Sequence, residues 1–300
     1  MVARPDVAGA RADPPGSGFF LSNNQFPTMS ELSLITKSQL VHDLRAMGLR
    51  PGELVMLHAS VKSLGWVVGG PEVVLQALFD VLMPGGTLMM VASWDNAETA
   101  YSLSELPPEH RQTYYQELPS YDPLTSHADW RGMSILAEYL RLWPGASRSG
   151  HPFSYVAVGS LAQKITEKQP LNYRDGVGSP LAKLCGFGGR VLQLGSPLGD
   201  ITLLHHAETM ARVPNKRVVR YSMPLLQRGR RIWVEIEEFD TSRGIVDWPE
   251  NYFEAIAREY LTSGRGTTGK VGSAAARLYN AADLAAFGID WMERHFGKVE

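Results

Sequence analysis

ELVMLHASVKSLGWVVGGPEVVLQALFDVLMPGGTLMMVA, residues 53–92, reads as strand, helix and strand in that order. Leu54, Val55, Met56 and Leu57 form a short apolar run, and the polar loop Ala59-Ser60-Val61-Lys62-Ser63-Leu64-Gly65 follows it directly. Gly69-Gly70-Pro71 ends the loop, with proline placed where a helix's first turn has no use for its missing N–H. Val73, Val74, Ala77, Leu78 and Val81 then recur on one helical face. Pro84-Gly85-Gly86 turns the chain into Thr87-Leu88-Met89-Met90-Val91-Ala92, a second and continuously apolar strand. A strand without a polar face is covered on both sides, and a helix between two such strands returns the chain so that they run parallel. The expected fold class is therefore α/β, with a mixed, largely parallel central sheet flanked by helices.

Outward from that unit, Thr36-Lys37-Ser38-Gln39 is a helix-capping pattern, followed by Leu40, Val41, Leu44 and Met47 at helical spacing. Ahead of it, two aspartates and a Pro-Pro-Gly break interrupt the arginine-bearing N-terminal stretch, which lacks the apolar run of a signal peptide. Residues 1–33 are expected to be a disordered tail and 34–300 a single α/β domain. On the other side, residues 93–130 form a long, acidic, proline-studded loop segment carrying Asp95, Glu98, Asp122 and Asp129 among aromatic residues. A loop of that length inside a domain points to a lid or pocket wall. Helices are expected over 134–143 and 161–167, and strands over 154–158 and 189–194, the latter ending in Gly195. Two arms, 216–226 and 230–240, flank Gln227-Arg228-Gly229 and read as a hairpin that extends the sheet. Helices over 252–261 and 281–296 close the chain.

Composition narrows the function. A net charge of −2 over 300 residues advertises no nucleic-acid surface. No apolar window long enough for a membrane helix occurs. The single cysteine, Cys185, leaves no internal disulfide, which suits a cytoplasmic protein, and with no base beside it in sequence it reads as a packed thiol. Gly264-Arg265-Gly266-Thr267-Thr268-Gly269-Lys270 invites a phosphate-loop reading that fails, because Val271 stands where a hydroxyl is required. The histidines show no metal-ligand spacing, and no metal is expected.

Two stretches carry chemistry. Thr202-Leu203-Leu204-His205-His206-Ala207-Glu208 should open a helix, on which His205 and Glu208, three apart, share a face. A carboxylate that orients an imidazole is half of a general-base apparatus, although a core histidine beside a solvated glutamate has the same spacing. The strand-to-loop junction at His58-Ala59-Ser60-Val61-Lys62-Ser63 offers backbone N–H groups to an anion, or is an ordinary loop.

These stretches, together with Gly69-Gly70-Pro71, Pro84-Gly85-Gly86-Thr87-Leu88, Arg148-Ser149-Gly150-His151-Pro152 and Ser179-Pro180-Leu181, resemble in order and spacing the aminoglycoside 3-N-acetyltransferases. That family is distinct from the common small acetyltransferase fold. The likeness runs from about residue 37 to 296. It implies acetyl-CoA as co-substrate and direct acetylation of the 3-amine of the 2-deoxystreptamine ring, hence antibiotic resistance. It implies His205 as general base and Glu208 as the acid of the same pattern, with His206 peripheral. Glu238 and Asp240 match the family's acid-x-Asp pair, and Glu238 is favoured as base partner or ligand of a substrate amine. Asp122, in Tyr121-Asp122-Pro123, and Asp95 are further candidates for the polycationic drug. His58, Ala59, Ser60, Val61, Lys62, Ser63 and Gly65 would meet the coenzyme, with Arg148 and His151 nearby. The partners are small molecules, and the chain is expected to be a monomer or homodimer. An acyltransferase for another amine, or a non-catalytic protein that sequesters the drug, would share the fold; the acidic lining separates the first and the intact His205 and Glu208 the second.

Overall fold

A computed structural model describes residues 33–248 and 251–297. The tail expected over 1–33 falls, apart from Ser33, outside the described residues. In chain order the strands are β1 (Leu34–Ile35), β2 (Leu54–Ala59), β3 (Trp66–Val67), β4 (Thr87–Val91), β5 (Ser147–Arg148), β6 (Tyr155–Gly159), β7 (Arg190–Leu194), β8 (Val218–Gln227), β9 (Arg230–Phe239), β10 (Thr267–Val271) and β11 (Ala274–Asn280). The helices are α1 (Lys37–Ala46), α2 (Pro71–Leu82), α3 (Ala97–Tyr101), α4 (Pro108–Glu117), α5 (Ile135–Arg141), α6 (Ala162–Thr166), α7 (Pro180–Gly186), α8 (Leu203–Met210), α9 (Tyr252–Thr262) and α10 (Ala281–Phe296).

Seven strands form one mixed sheet in the order β10-β11-β7-β2-β4-β6-β5. The strand–helix–strand unit of residues 53–92 lies at its centre, as its apolar runs require. Val55 and Leu57 of β2 join the core beneath α1, α2 and α5, while Leu54 and Met56 join the core beneath α7 to α10. Both faces are covered, so neither could be polar. The sheet is less parallel than expected: β2 runs parallel to β4 and β7, and the other four pairings are antiparallel. The parallel part is thus confined to three central strands with antiparallel wings.

The hairpin assignments exchange roles. β8 and β9 pair from Val218↔Phe239 to Gln227↔Arg230 around Arg228 and Gly229, whose φ angles of 49° and 74° make the left-handed two-residue turn that suits strand twist. They form their own two-stranded ribbon and do not extend the sheet. The buried face of the ribbon, with Tyr221, Met223 and Ile236, packs instead on Trp94, Ala97, Leu103, Tyr121 and Phe153 in a third core. The sheet is extended by β10, which takes up the end of the glycine-rich segment rejected above as a phosphate loop, and by β11, which follows it. The acidic segment is likewise more regular than a loop, since it contains α3 and α4. The capping pattern holds, with the Thr36 hydroxyl accepting from the Gln39 N–H at 3.2 Å. On α5, Leu136, Ala137 and Leu140 are buried and Tyr139 is exposed.

Candidate active site

The three parallel strands end on one side, and a cleft of about 830 Å³ opens there. Open α/β sheets bind ligands outside the carboxyl ends of their parallel strands because the loops diverge there. His58 and Ala59 reach the cleft from the end of β2, and Ser60, Val61 and Lys62 from the short 3-10 helix that follows. Gly195, after β7, has φ 69°, and a Cβ on it would lie 2.3 Å from the Cβ of Ser63. Glycine at the strand end therefore lets this loop close on β7. Trp130, Arg131 and the start of α5 also line the cleft. The lining carries Lys62 and Arg131 against a single carboxylate, Asp200, whose pKa burial raises. Arg131 lies over the Trp130 ring at 4.8 Å.

α8 places His205 at the cleft and buries Glu208 behind it. The Nδ1–H of His205 donates to Glu208 Oε2 at 2.6 Å, with the imidazole side chain 29% exposed and the carboxylate 1%. Leaving a buried carboxylate unpaired costs several kcal/mol. Here the second oxygen, Oε1, accepts the hydroxyl of Tyr252 from α9. Burial pulls the His205 pKa down, but the charge and hydrogen bond of Glu208 outweigh it and the net shift is upward. Asp175 adds to that rise and Arg174 opposes it. With Nδ1–H committed to Glu208, Nε2 is the nitrogen left to accept a proton. The Phe253 ring packs against the imidazole in a T-shaped contact, centroids 4.9 Å apart.

His58 is a second imidazole at this cleft. Its Nε2 is buried without a partner, and burial together with nearby His205 lowers its pKa to about 4. It is therefore neutral where His205 titrates. His206, one residue along α8, faces the other way: it is buried, and its Nδ1–H donates to the Asp175 carbonyl at 2.7 Å.

A second buried array lies where β8 and β9 meet the loop before α7. Glu238 Oε1 accepts from the Arg174 guanidinium and, at 2.6 Å, from the Tyr221 hydroxyl. Arg174 also lies over the Phe153 ring at 4.1 Å and within 3.5 Å of Asp175. Burial disfavours the charge on Arg174, yet Glu238 and Asp175 hold it firmly protonated. Glu98 is raised by burial against the pull of Arg174, with Asp129 adding to the rise. Asp240 accepts from Ser242 at 2.6 Å and from Tyr101 at 3.3 Å. Burial works against the charged form of Asp240, and these bonds hold its pKa below the usual value.

The carboxylate against His205 is thus Glu208, and Glu238 instead closes an ion pair with Arg174. His58, Ala59, Ser60, Val61 and Lys62 gather at the same cleft as His205, whereas Ser63 and Gly65 lie behind it. Arg148 does not line the cleft: its guanidinium donates to the Ser154 hydroxyl and to the carbonyls of Ser126 and Ala92. His151 is buried, accepts from the Phe153 N–H at 3.0 Å and bonds the Leu171 carbonyl at 3.2 Å. These two hold the turn between β5 and β6, which corrects the expectation that they face a coenzyme. Asp122 commits both oxygens to its own turn, on Leu124 N–H and the Thr125 hydroxyl. Asp95 is exposed and accepts from Asn96. Cys185 packs against the core, and burial raises its pKa to about 11, in keeping with an inert thiol. Sequence reasoning missed Tyr252, Arg174, Asp175 and Arg131, whereas Trp130 belongs to the aromatic segment expected to form a lid or pocket wall. Among the described residues no cluster of His, Cys, Asp and Glu is arranged to hold a metal, and no helix is long and apolar enough to cross a membrane.

Comparison with known proteins bears on this geometry. The family model described as aminoglycoside 3-N-acetyltransferase matches residues 56–293. Aminoglycoside N(3)-acetyltransferase III of Pseudomonas aeruginosa is 48% identical over 263 residues, covering 87% of this chain and 95% of that protein. Among solved structures, AAC-IIIb in a binary complex with CoASH superposes with a TM-score of 0.82 at 42% identity, over 89% of this chain and 100% of the other. AAC-VIa bound to sisomicin gives a TM-score of 0.82 at 35% identity, again over 89% and 100%.

Proposed function

This chain belongs to the aminoglycoside 3-N-acetyltransferase family, and on that premise we propose that His205, oriented by Glu208, is the general base for acetyl transfer from acetyl-CoA to the 3-amine of the 2-deoxystreptamine ring. Modification at that amine confers resistance to the drug. The observation that carries the assignment of the base is the short Nδ1–Glu208 contact at the cleft, which leaves Nε2 as the acceptor.

The residues on the two sides suit the two substrates. Coenzyme A is polyanionic, and the cleft lining carries both Lys62 and Arg131. The first turn of the 3-10 helix leaves the N–H groups of Val61 and Lys62 without intrahelical acceptors. These four groups would hold phosphate and amide oxygens, and Trp130 offers an aromatic face beside Arg131. The aminoglycoside is polycationic, and Glu98, Asp129, Asp175 and Asp240 give the Arg174 side an excess of carboxylate.

Bound acetyl-CoA supplies an acyl thioester carbon that the amine attacks, forming the amide C–N bond, breaking C–S and releasing the thiol. An ammonium cannot attack, so the proton must leave nitrogen before or during that step. His205 Nε2 takes it, Glu208 steadies the imidazolium through Nδ1–H, and the proton passes to the departing sulfur, which leaves as the thiol. His58, held neutral beside it, adds no competing charge.

Release of free thiol from acetyl-CoA in the presence of gentamicin, kanamycin B, neomycin or apramycin tests the activity. Turnover with at least one is expected. Zero turnover with every 2-deoxystreptamine drug would sink the reading, and tight drug binding without turnover would favour sequestration.

A further inference from the structure

We propose that Tyr252, a buried residue that does not line the cleft, is a positioning residue for acetyl transfer: its hydroxyl fixes Glu208 so that one carboxylate oxygen faces His205 Nδ1. The inference rests on His205 acting as the base. The hydroxyl donates to Glu208 Oε1 and accepts from the Ile245 N–H at 3.0 Å. Because its lone pair already receives that N–H, its own proton is directed at the carboxylate. Oε1 is thereby engaged, and Oε2 is left for the imidazole at 2.6 Å.

The fold makes room for this arrangement. Gly244 has φ 77°, and a Cβ there would stand 2.5 Å from the Tyr252 ring. The ring packs edge-on against Phe296 with centroids 5.2 Å apart. Phe253, the next residue, packs against the His205 ring in a T-shaped contact. The first turn of α9 therefore touches both members of the dyad, behind the carboxylate and beside the imidazole. Asn251 holds that turn in place by accepting from the Phe253 N–H at 3.1 Å. Burial and the Glu208 charge raise the Tyr252 pKa far above its ordinary value, so it remains a donor wherever the dyad works.

A hydrogen bond from Tyr252 draws negative charge away from Oε2. Its loss should concentrate charge toward His205, stabilise the imidazolium and raise the His205 pKa further. The other groups facing the pair are His58 from β2, Asp175 and Arg174 from the loop before α7, and Lys216 and Arg217 ahead of β8. Replacing a hydroxyl by hydrogen leaves all of them in place.

The test compares Tyr252→Phe with site-specific 3,5-difluorotyrosine at the same position, in the full chain. The phenylalanine variant should move the acid limb of kcat/KM upward by about half a pH unit or more, and the fluorinated residue, a stronger donor, should move it downward. In Tyr252→Phe, kcat near neutral pH should fall about tenfold, the usual weight of a group that orients a catalytic partner, with both KM values within about twofold. Imidazole ¹⁵N titration of His205 reads the same pKa without any turnover, so a failure to acetylate aminoglycosides would overturn the assigned activity while this measurement still decides the role of Tyr252. The fluorinated chain keeps the aromatic ring, so its result stands even if the phenylalanine variant is less stable. An unmoved limb and titration in both variants, or shifts of the same sign, would overturn the proposal.

Discussion

Two buried glutamates in this molecule are held alike, each by one tyrosine hydroxyl and one basic side chain. Glu208 is bound by Tyr252 and His205, and Glu238 by Tyr221 and Arg174. What differs is the base. A guanidinium stays charged at any pH the protein meets, so the Glu238 pair is a permanent strut between the hairpin and the loop before α7. An imidazole exchanges its proton near neutrality, so the same cradle around Glu208 becomes a device that can accept one. Accessibility follows the same division: His205 reaches the cleft, while Arg174 is enclosed by Phe153, Glu238 and Asp175. A carboxylate pattern alone does not mark a catalytic acid; the titration range of its partner does.

The largest expected effect breaks the Glu208 side outright. His205→Ala should lower kcat for thiol release by about 10²–10⁴, the usual worth of a general base, with aminoglycoside binding by calorimetry largely retained. Next comes Glu208→Gln, which should cost about 10–100-fold in kcat. Its pH profile carries the sign. In the native chain the His205 pKa is raised, because Glu208 outweighs burial, so activity should climb with pH through a limb above the ordinary histidine value. With the charge removed, burial and Arg174 remain, and the limb should move to lower pH. An unmoved limb would mean that some other group is the titrating base.

Glu238→Gln sharpens the contrast from the other side. It removes the charge facing a buried guanidinium, so thermal or denaturant unfolding should show a loss of about 3–5 kcal/mol. The acid limb should stay where it is, because Glu238 is not among the groups that set the His205 pKa, and kcat should remain within about threefold of the native value. A limb that follows Glu238 as strongly as Glu208 would erase the distinction between the two cradles.

How far the sequence carried this picture depends on whether a feature is local. The 53–92 unit was legible because β2 and β4 are buried on both faces and show it as uninterrupted apolar runs. The pairing of His205 with Glu208 was legible as a spacing, because a helix repeats every 3.6 residues whatever surrounds it. The partner of Glu238 was not, since Arg174 lies 64 residues away and no local pattern joins them. Tyr252 was hidden for the same reason, 44 residues from Glu208. β10 and β11 were missed because Gly269 and Lys270 interrupt the first and three alanines open the second, so neither shows a strand's pattern; pairing of β11 with β7, Ala276 opposite Leu194, and of β10 with β11 makes them strands. Arg148 and His151 were expected near the coenzyme because the turn that carries them is part of the family resemblance. Only the structure shows their donors and acceptors committed to carbonyls, a hydroxyl and an amide.

The smallest expected effect is the sharpest test of register. His206 adjoins His205, and a helix turns by about 100° per residue, so the two rings leave α8 in different directions. His206 is buried with its Nδ1–H on the Asp175 carbonyl, an interaction that an asparagine amide can reproduce. His206→Asn should therefore leave kcat within about twofold, with a stability loss of about 1–2 kcal/mol for the smaller side chain. What it can disturb is Asp175, whose carboxylate raises the His205 pKa and touches Arg174. A modest rise in KM for the aminoglycoside with an unshifted kcat would place His206 as support for the acidic side of the site. If this variant were crippled and His205→Ala mild, the base would belong one residue further along, and the cradle around Glu208 would be structural after all.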